Sequence, residues 1–594
     1  MAELTIALSL ATDLGTGQPR DHGLRTCWLA LAAAGELGLD APARSCVYHT
    51  ALLRFLGCTA DASETAVVAG GDDIAFNAAM GPMLMGQPAE SMRHFVRHLA
   101  EDLPLGRRAG RVARALADPG MGARSLAAHC EVGARLAERL GMDESVRHAL
   151  AHAYERWDGR GQPDGLAGEA VPVAVRVVVA ARDAELWDRQ AGWPTAAGVL
   201  AHRRGRGYDP AVVDVLVAHG ERWLAQIGDD PGAAVLAAEP APVLTIDDAG
   251  LDAALAAVAD FADLKSPWFR GHSPGVARLA SAAAGAAGLS GADATDLNRA
   301  ALVHDVGRAG VPNGIWDRPG PLSADQWERV RLHPYLTERV LHRCALLAPV
   351  AAVAAHHHER ADGSGYHRGA AGDQLALGSR LLAAADAYHA MTEDRPHRPA
   401  LTPAGAASQL LDDVDAGRFG RVEAEAVLAA AGQASRPARV PRPAGLTERE
   451  VDVLSLIARG RSNREVAATL GISPKTVGHH VEHIYAKAGV TTRAGATLFA
   501  SGAPWGAASD GDGVNARCRP AAGSGHSSWH PEGEEQAACT RSTSRTTGGS
   551  RSAARAGPRS RCGWTATGRP SCWSTGRSPT TPPSTRSWPC SGTT

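Results

Sequence analysis

Histidine and aspartate side chains that could bind metal ions recur between residues 272 and 386. The segment HHHERADGSGYH (356–367) places three consecutive histidines before a glycine-rich turn. These histidines are either metal ligands or an exposed polar run at the end of a helix. Ligands must converge on a metal ion from several directions, so a run on one helix is not enough. The metal interpretation therefore requires partners elsewhere in the chain.

The same Ala/Leu-rich region supplies such partners. They are His272 in GHSPGVA, His304 and Asp305 in LVHDVGRAG, His333 in RLHPYLTERVL and Asp386 in LLAAADAYHAM. A carboxylate beside a histidine can bridge two cations while the imidazole binds one of them. Mixed imidazole and carboxylate ligands suit iron, manganese or another divalent transition metal better than magnesium or calcium. The pattern therefore predicts a metal site built from several helices.

These motifs, in the order HDVGR, HP, HHERADGSGYH and AAADAYHAMTEDRPHR, resemble the HD-GYP subclass of HD-domain phosphohydrolases. The resemblance covers about residues 250–430 and implies an all-α domain with a centre of two or three metals. Many members of the family hydrolyse cyclic di-GMP. The metal ligands that the resemblance implies are His272, His304, Asp305, His333, His357, His358 and Asp386. His356 then lies outside the metal-binding set.

Three positions depart from the family pattern. His367 stands where the signature has proline, and Arg308 where the family has lysine. Trp268 stands where members with three metals have glutamate. We therefore expect two divalent transition metals, with iron or manganese favoured. The resemblance also implies that Asp305 bridges the cations and is catalytic in phosphodiester hydrolysis.

Several polar residues are candidates for binding the substrate. Guanidinium groups form paired hydrogen bonds with phosphate oxygens, so we expect Arg308 and Arg318 to contact phosphate, with Arg308 also catalytic. Asp362 and Tyr366 lie in the glycine-rich turn, where they could close over a guanine or a ribose. Turn chemistry alone would explain these two residues equally well.

An earlier segment repeats the same turn. AYERWDGRGQPDGL (153–166) parallels HHERADGSGYHRGA (357–370), and each follows a histidine, His129 or His333, at the same spacing. Repetition of this kind indicates two copies of one domain. The first copy is expected to be degenerate, with Arg182 in place of Asp386, and to hold no binuclear centre, because it lacks the bridging carboxylate. We place His49-Thr50 opposite His304-Asp305 and Ala153-Tyr154 opposite His357-His358. The possible ligands that remain in the first copy are His22, His49 and His129.

Residues 446–500 have the local signals of about three short helices. Thr447 with Glu450, and Ser462 with Glu465, form capping boxes. A serine at 473 before a proline marks a further helix start. The segment resembles the LuxR-type helix-turn-helix along its whole length, which implies major-groove binding to DNA through residues 473–488 and a homodimer. The DNA-contact candidates are Lys475, Thr476, His479, His480 and Lys487.

The chain of 594 residues is too long for one hydrophobic core, and its pattern predicts an all-α fold. The predicted segments are a degenerate HD-GYP-like domain (1–230), a linker (231–245), an HD-GYP-like phosphohydrolase domain (246–432), a second linker (433–445), the helix-turn-helix (446–500) and a tail (501–594). The tail contains no Leu, Ile, Phe, Tyr or Met, so it is predicted to be disordered. Translation out of frame explains its composition better than a basic nucleic-acid-binding arm.

The remaining composition excludes several classes of protein. The net charge is −2, which gives the whole chain no polyanion-binding signal. No run of about 18 apolar residues predicts a membrane span, and no signal peptide is recognisable. Ten cysteines without CxxC pairs disfavour a disulfide or zinc framework. We expect a cytoplasmic protein with no membrane partner.

Together these features predict a transcriptional regulator with a metal-dependent phosphohydrolase domain, which acts on a cyclic dinucleotide such as cyclic di-GMP. The alternative is a transcription factor that senses a nucleotide at the metal site without hydrolysing it. A transcription factor with purely structural HD domains is disfavoured, because drift would have eroded the ligands of the second copy as it did those of the first.

Overall fold

The computed structural model describes residues 1–84, 120–433 and 443–502, and a few residues between them (94, 96–99, 106, 110, 112–113 and 118). Every regular element in these ranges is a helix, which confirms the all-α prediction. The predicted tail from residue 503 onward and residues 434–442 of the second predicted linker lie outside the described residues.

The first part of the chain forms eleven described helices. They are α1 (Ala2–Thr16), α2 (His22–Glu36), α3 (Ala41–Leu53), α4 (Ala62–Ala69), α5 (Asp73–Met80), α6 (Met121–Arg139), α7 (Glu144–Ala151), α8 (Val173–Ala191), α9 (Trp193–Arg203), α10 (Pro210–Gln226) and α11 (Pro231–Ala237). Helix α8 packs against α2, α3 and α9 at the centre. The last helix, α11, occupies part of the segment predicted to be a linker. It packs on α2, and Tyr48 donates a hydrogen bond to its Val235 carbonyl.

The second part repeats this arrangement. Its helices are α12 (Asp248–Asp263), α13 (His272–Ala284), α14 (Gly291–Val303), α15 (Asn313–Trp316), α16 (Ala324–Arg331), α17 (His333–Leu341), α18 (Ala348–Ala355), α19 (Leu377–Met391), α20 (Pro403–Asp415) and α21 (Arg421–Gln433). A 3₁₀ helix (Val306–Gly310) follows α14, and another (Pro267–Phe269) precedes α13. Helix α13 packs against α14 and α19, which places the beginning of α13 beside the end of α14.

The C-terminal block has four helices rather than about three. They are α22 (Glu448–Ala458), α23 (Asn463–Leu470), α24 (Pro474–Ala488) and α25 (Arg493–Gly502). Both predicted capping boxes are present, at Thr447 and at Ser462. Ser473 caps α24 by accepting from the backbone nitrogen of Thr476 at 3.0 Å. Buried apolar residues from all four helices form one core, with Val466, among others, fully buried.

The two copies are joined by buried polar contacts as well as by packing. Nζ of Lys265 lies 2.6 Å from a carboxylate oxygen of Asp73, and both side chains are 1 % exposed. The other oxygen of Asp73 accepts from the backbone nitrogen of Asn313 at 2.6 Å. Helix α1 of the first copy packs on the 3₁₀ helix Val306–Gly310 of the second. A buried lysine needs its counter-ion. The Asp73–Lys265 pair therefore fixes the segment that carries α4 and α5 against the second copy.

Two negative findings apply to the described residues. None of their helices is long and apolar enough to cross a membrane. The five cysteines in these ranges, Cys27, Cys46, Cys58, Cys130 and Cys344, are all free thiols.

Candidate metal centre

All seven predicted ligands of the second copy lie together at the meeting point of its helices. His272 and His333 are the first residues of α13 and α17, and Asp386 lies in the middle of α19. His304 follows α14 directly, and His357 lies one residue beyond the cap of α18. Helix ends supply most of these side chains, so side chains from five separate segments converge on one buried point.

Three of the histidines are oriented in the same way. Nδ1 of each ring lies 2.6–2.7 Å from a backbone carbonyl three residues earlier in the chain, in His304, His333 and His357. A ring that donates from Nδ1 leaves Nε2 as a lone-pair donor, and this arrangement is usual for metal-binding histidine. The backbone therefore directs the three Nε2 atoms toward the centre.

The carboxylate of Asp305 divides the histidines into two groups. Its Oδ2 lies 2.9 Å from Nε2 of His304 and 3.4 Å from Nε2 of His272. Its Oδ1 lies 3.4 Å from Nε2 of His333 and 3.5 Å from Nε2 of His357. One carboxylate oxygen thus faces each group, which is the geometry that a bridging ligand requires.

Asp386 and His358 complete the two groups. Oδ1 of Asp386 lies 3.1 Å from Nε2 of His272, and its Oδ2 lies 3.8 Å from Nδ1 of His358. Three of the residue sets that could hold a metal ion are His272, His304 and Asp386, then His304, Asp305 and His357, then His333, His357 and His358. His356 belongs to none of the sets in the described residues.

The charge states also suit metal ions. Burial acts to raise the pKa of Asp305, but Arg308 and His304 hold it well below its usual range. Burial lowers the pKa of His333 to about 3. It would lower that of His304 too, but the Asp305 carboxylate raises the pKa of His304 to about 9. A cation that binds there would displace the proton of His304, so metal binding and proton release are coupled.

Buried polar atoms without partners support the fit to a metal. Nε2 of His304, both carboxylate oxygens of Asp305 and Oδ1 of Asp386 form no hydrogen bond of regular geometry within the described part of the chain, although Oδ2 of Asp305 lies within ion-pair distance of Arg308 and His304. Burial of such atoms is costly unless something satisfies them. Imidazole and carboxylate donors at this spacing fit divalent transition metals.

Arg308 lies at the edge of the centre. Its Nη2 is 2.6 Å from Oδ2 of Asp305 and 3.5 Å from Nε2 of His272. The guanidinium carbon lies 4.2 Å from the ring centroid of Phe269 and 5.7 Å from that of Trp316. The two rings hold the planar group in place, and Nε and Nη1 remain without a hydrogen-bond partner among the described residues.

The other predicted substrate contacts are placed differently. Tyr366 is close to the centre, since its ring centroid lies 4.8 Å from that of His358. Asp362 is exposed, and its Oδ1 accepts from the backbone nitrogen and hydroxyl of Ser364, so it serves the turn. Arg318 is exposed, and its Nε donates to the Pro321 carbonyl. Only Arg308 and Tyr366 of the four are shown in contact with the predicted ligands.

Two functional features were missed in the sequence. Oε2 of Glu393 lies 2.8 Å from Nδ1 of His272 and so orients that ring, and His389 lies beside both. Helical spacing from Asp386 to His389 gave a signal for the latter. Glu359 is buried, and its two carboxylate oxygens accept from the backbone nitrogens of residues 368 and 370. It therefore braces the glycine-rich turn instead of binding metal.

The register that we predicted for the start of the first copy is wrong. Gly57 and Gly307 hold the same position, because a Cβ atom on Gly57 would collide with the His129 carbonyl and one on Gly307 with that of His333. Arg54 and Phe55, rather than His49-Thr50, therefore stand opposite His304-Asp305. His49 lies five residues earlier, buried in α3, where burial lowers its pKa to about 4.

The rest of the first copy agrees with the predicted register. A Cβ atom on Gly161 would collide with Glu155, as one on Gly365 would with Glu359. Ala153-Tyr154 therefore stands opposite the histidine pair. Arg182 and Asp386 are each nine residues beyond the first residue of their helices, α8 and α19. We call the group His22, Arg54, Phe55, Tyr154 and Arg182 the first-copy pocket.

The DNA-contact candidates of α24 are largely exposed. Lys475, Thr476 and His479 are exposed, with His479 at 62 %, and His480 is half-buried. Lys487 differs, since its Nζ lies 2.7 and 2.9 Å from the carboxylate oxygens of Glu450. Its ammonium is engaged inside the block rather than free for a phosphate.

Comparison with known families identifies both parts of the chain. A model of the HD domain matches residues 123–212 and 256–421. A model described as bacterial regulatory proteins of the luxR family matches residues 444–500. The two HD matches fall within the two copies, on either side of the segment that contains α11.

Several phosphodiesterases resemble the chain. It is 31 % identical to the 3′3′-cGAMP-specific phosphodiesterase 3 of Vibrio cholerae over 407 residues, which cover 68 % of this chain and 88 % of that protein. It is 43 % identical over 100 residues to a cyclic di-GMP phosphodiesterase of Pseudomonas aeruginosa, covering 17 % of this chain and 24 % of that one. A crystal structure of a cyclic GMP-AMP-specific phosphodiesterase of V. cholerae matches 73 % of this chain and 98 % of its own, with a TM-score of 0.51 and 27 % identity.

Proposed function

The chain belongs to the HD-domain family of phosphodiesterases, and from that premise we propose that its second HD copy hydrolyses a cyclic dinucleotide with two divalent metals. Iron and manganese suit the ligand set best. The observation that carries the proposal is the carboxylate of Asp305, which turns one oxygen to each of two histidine groups. A likeness to enzymes that act on 3′3′-cGAMP and cyclic di-GMP supports the substrate class.

In this proposal the residues that would hold the metals are His272, His304, Asp305, His333, His357, His358 and Asp386. Bound divalent cations lower the pKa of water and neutralise charge on phosphate oxygens. The protein's own part is to hold these groups rigidly. Backbone carbonyls fix the rings of His304, His333 and His357, and Glu393 fixes that of His272.

Arg308 is the residue that we propose for phosphate binding. Its unpartnered Nε and Nη1 atoms can donate to a phosphate oxygen while Nη2 stays on Asp305. The ring of Tyr366, beside His358, offers a flat surface for a base. Arg318 and Asp362 remain predictions, and their engaged side chains lend them less support.

The luxR-type segment makes the protein a regulator, and we propose that it binds the major groove through residues 473–488 as a homodimer. A single short helix makes few base contacts, so pairing two copies on DNA raises affinity. The state of the second HD copy would then be passed to DNA by the same chain.

The test is turnover of 3′3′-cGAMP and of cyclic di-GMP by the full chain loaded with Mn²⁺ or Fe²⁺. We expect hydrolysis of at least one of them. Asp305→Ala should lower kcat by at least about a hundredfold, because several kcal/mol of charge stabilisation depend on the centre. His356→Ala, a matched control outside the ligand sets, should retain activity. Saturable binding by the wild type without turnover would replace the enzyme with a nucleotide sensor.

A further inference from the structure

The first-copy pocket has lost the acidic character of the metal centre. At the positions of His272, His304 and Asp386 it carries His22, Arg54 and Arg182. Phe55 stands at the position of Asp305. Two guanidinium groups in this place repel a metal ion, so the pocket is suited to an anion instead.

The basic groups surround one aromatic ring. The guanidinium carbons of Arg54 and Arg182 lie 5.7 and 5.9 Å from the ring centroid of Phe55. The ring of His22 stacks on Phe55 at 6.3 Å between centroids. The guanidinium of Arg54 also lies 5.3 Å from the ring of Tyr154. Aromatic faces and guanidinium groups thus alternate in the pocket.

Hydrogen-bond donors in the pocket lack partners. Nε of Arg54 and Nε of Arg182 are buried and form no hydrogen bond within the described ranges. Arg182 pairs with Asp183, and Nδ1 of His22 pairs with Glu185. Arg54 donates through Nη1 to the Ala153 carbonyl at 2.7 Å, and no ion pair joins it to a carboxylate of the described residues.

The pocket is also reachable from solvent. Arg54, Phe55, Tyr154 and Arg182 are all partly exposed, whereas the ligands of the second copy are almost fully buried apart from His358. The guanidinium groups of Arg54 and Arg182 both lie near the ring of Phe55, so their like charges repel, and an anion close to both would reduce that repulsion. A planar guanidinium binds two phosphate oxygens at once.

We propose that the first-copy pocket binds a phosphate-bearing nucleotide. Arg54 and Arg182 would take the phosphate, and the rings of Phe55 and Tyr154 would stack on the base, as aromatic side chains do with nucleic-acid bases. This site is separate from the metal centre and performs no hydrolysis, because none of the possible metal-binding sets among the described residues lies there. The first copy then acts as a nucleotide-binding domain beside the second.

The test uses the full chain with Asp305→Ala, which removes hydrolysis, in the presence of a chelator. The probes are 3′3′-cGAMP, GMP and inorganic pyrophosphate, titrated by calorimetry. We expect at least one probe to bind, and Arg182→Gln to weaken it by about tenfold or more, the loss of one charge-assisted hydrogen bond. Arg182→Lys keeps the charge and should weaken it less.

The matched control is Arg204→Gln, which breaks an exposed ion pair with Asp214 on the same domain and should leave binding unchanged. Circular dichroism is used to check that each variant is folded. If Arg54→Gln unfolds the domain, the two variants at Arg182 decide alone. Binding that is indifferent to Arg182, or no binding of any probe at millimolar concentration, would mean that Phe55 and the arginines merely fill a vacated cavity.

Discussion

The carboxylate of Glu131, on α6 of the first HD copy, accepts two hydrogen bonds from Thr491 of the DNA-binding block. The backbone nitrogen and the hydroxyl of Thr491 each lie 2.9 Å from one of its oxygens. Arg135, one turn further along α6, donates to the Gly489 carbonyl. Helix α25 packs on α6 beside these contacts. The first copy therefore contacts the block directly.

Glu131→Ala should loosen the block without unfolding either HD copy. Two hydrogen bonds to a charged group are lost, and their exposure to solvent limits the effect to about 1–3 kcal/mol. We expect hydrogen exchange in residues 489–502 to speed up by about tenfold, measured by mass spectrometry on the full chain.

Glu138→Ala is the control for this change. Glu138 lies on the same helix and pairs with Arg147 of the first copy at 3.0 Å. Its removal should leave exchange in residues 489–502 unaltered. Equal acceleration by both variants would show that α6 itself, rather than the Glu131 contact, had been disturbed.

Metal content should distinguish His333, a proposed ligand, from His356, which lies outside the ligand sets. His333→Ala removes a proposed ligand that faces only Oδ1 of Asp305, so we expect the purified protein to lose one of the two proposed metals and to keep the other. His356→Ala should keep both, because this ring belongs to none of the possible sets. Elemental analysis per mole of chain measures both. If His356→Ala loses as much metal as His333→Ala, the ligand assignment is wrong.

The sequence identified the side chains that the second copy brings together, because they lie in recognisable motifs. It could not predict that the two carboxylate oxygens of Asp305 face different histidines, since that depends on side-chain rotation within the folded core. Glu393 was overlooked for a similar reason: it lies beyond the end of α19 and reaches His272 only through tertiary packing.

The first copy shows where residue identity misleads. The predicted register places His49 opposite His304, a residue of the same type, but the structure does not. The register is fixed instead by Gly57, whose missing side chain lets the backbone of His129 pass, as Gly307 does for His333. The close backbone approach is present in both copies, although the set of metal-type side chains is not. The small residue is therefore a better guide to the register than a matching histidine.

The Glu450–Lys487 pair predicts a dependence on pH. Burial acts to raise the pKa of Glu450, but Lys487 and the Thr447 cap lower it to about 2, below the usual value of about 4.3. A carboxyl whose pKa is lower in the folded state stabilises the fold above the unfolded value. That contribution is lost as pH falls from about 4.5 toward 2.

Glu450→Gln should therefore destabilise residues 446–500 at neutral pH, and the difference from wild type should shrink at about pH 3. Hydrogen exchange of the two proteins, compared at the same pH, measures it. Glu482→Gln alters an exposed pair with His479 and should have little effect at either pH. A difference that stays the same at both pH values would contradict the shifted pKa of Glu450.

DNA-binding measurements should distinguish the roles of Lys475 and Lys487, the two lysines of α24. Lys475 is exposed near the start of the helix, and His479 lies one turn further on the same face. The double change Lys475→Ala with His479→Ala should weaken binding to a duplex selected from random sequence by about tenfold or more, since each good base contact contributes about 1–3 kcal/mol. If only phosphate contacts are lost, the slope of the logarithm of the binding constant against the logarithm of salt concentration should become shallower by about one. Lys487→Ala should act otherwise, because its ammonium holds Glu450: we expect faster hydrogen exchange in residues 446–500 and a smaller loss of affinity once the block is folded. Footprints that are unchanged in the double variant would place the DNA-contact face on another side of α24.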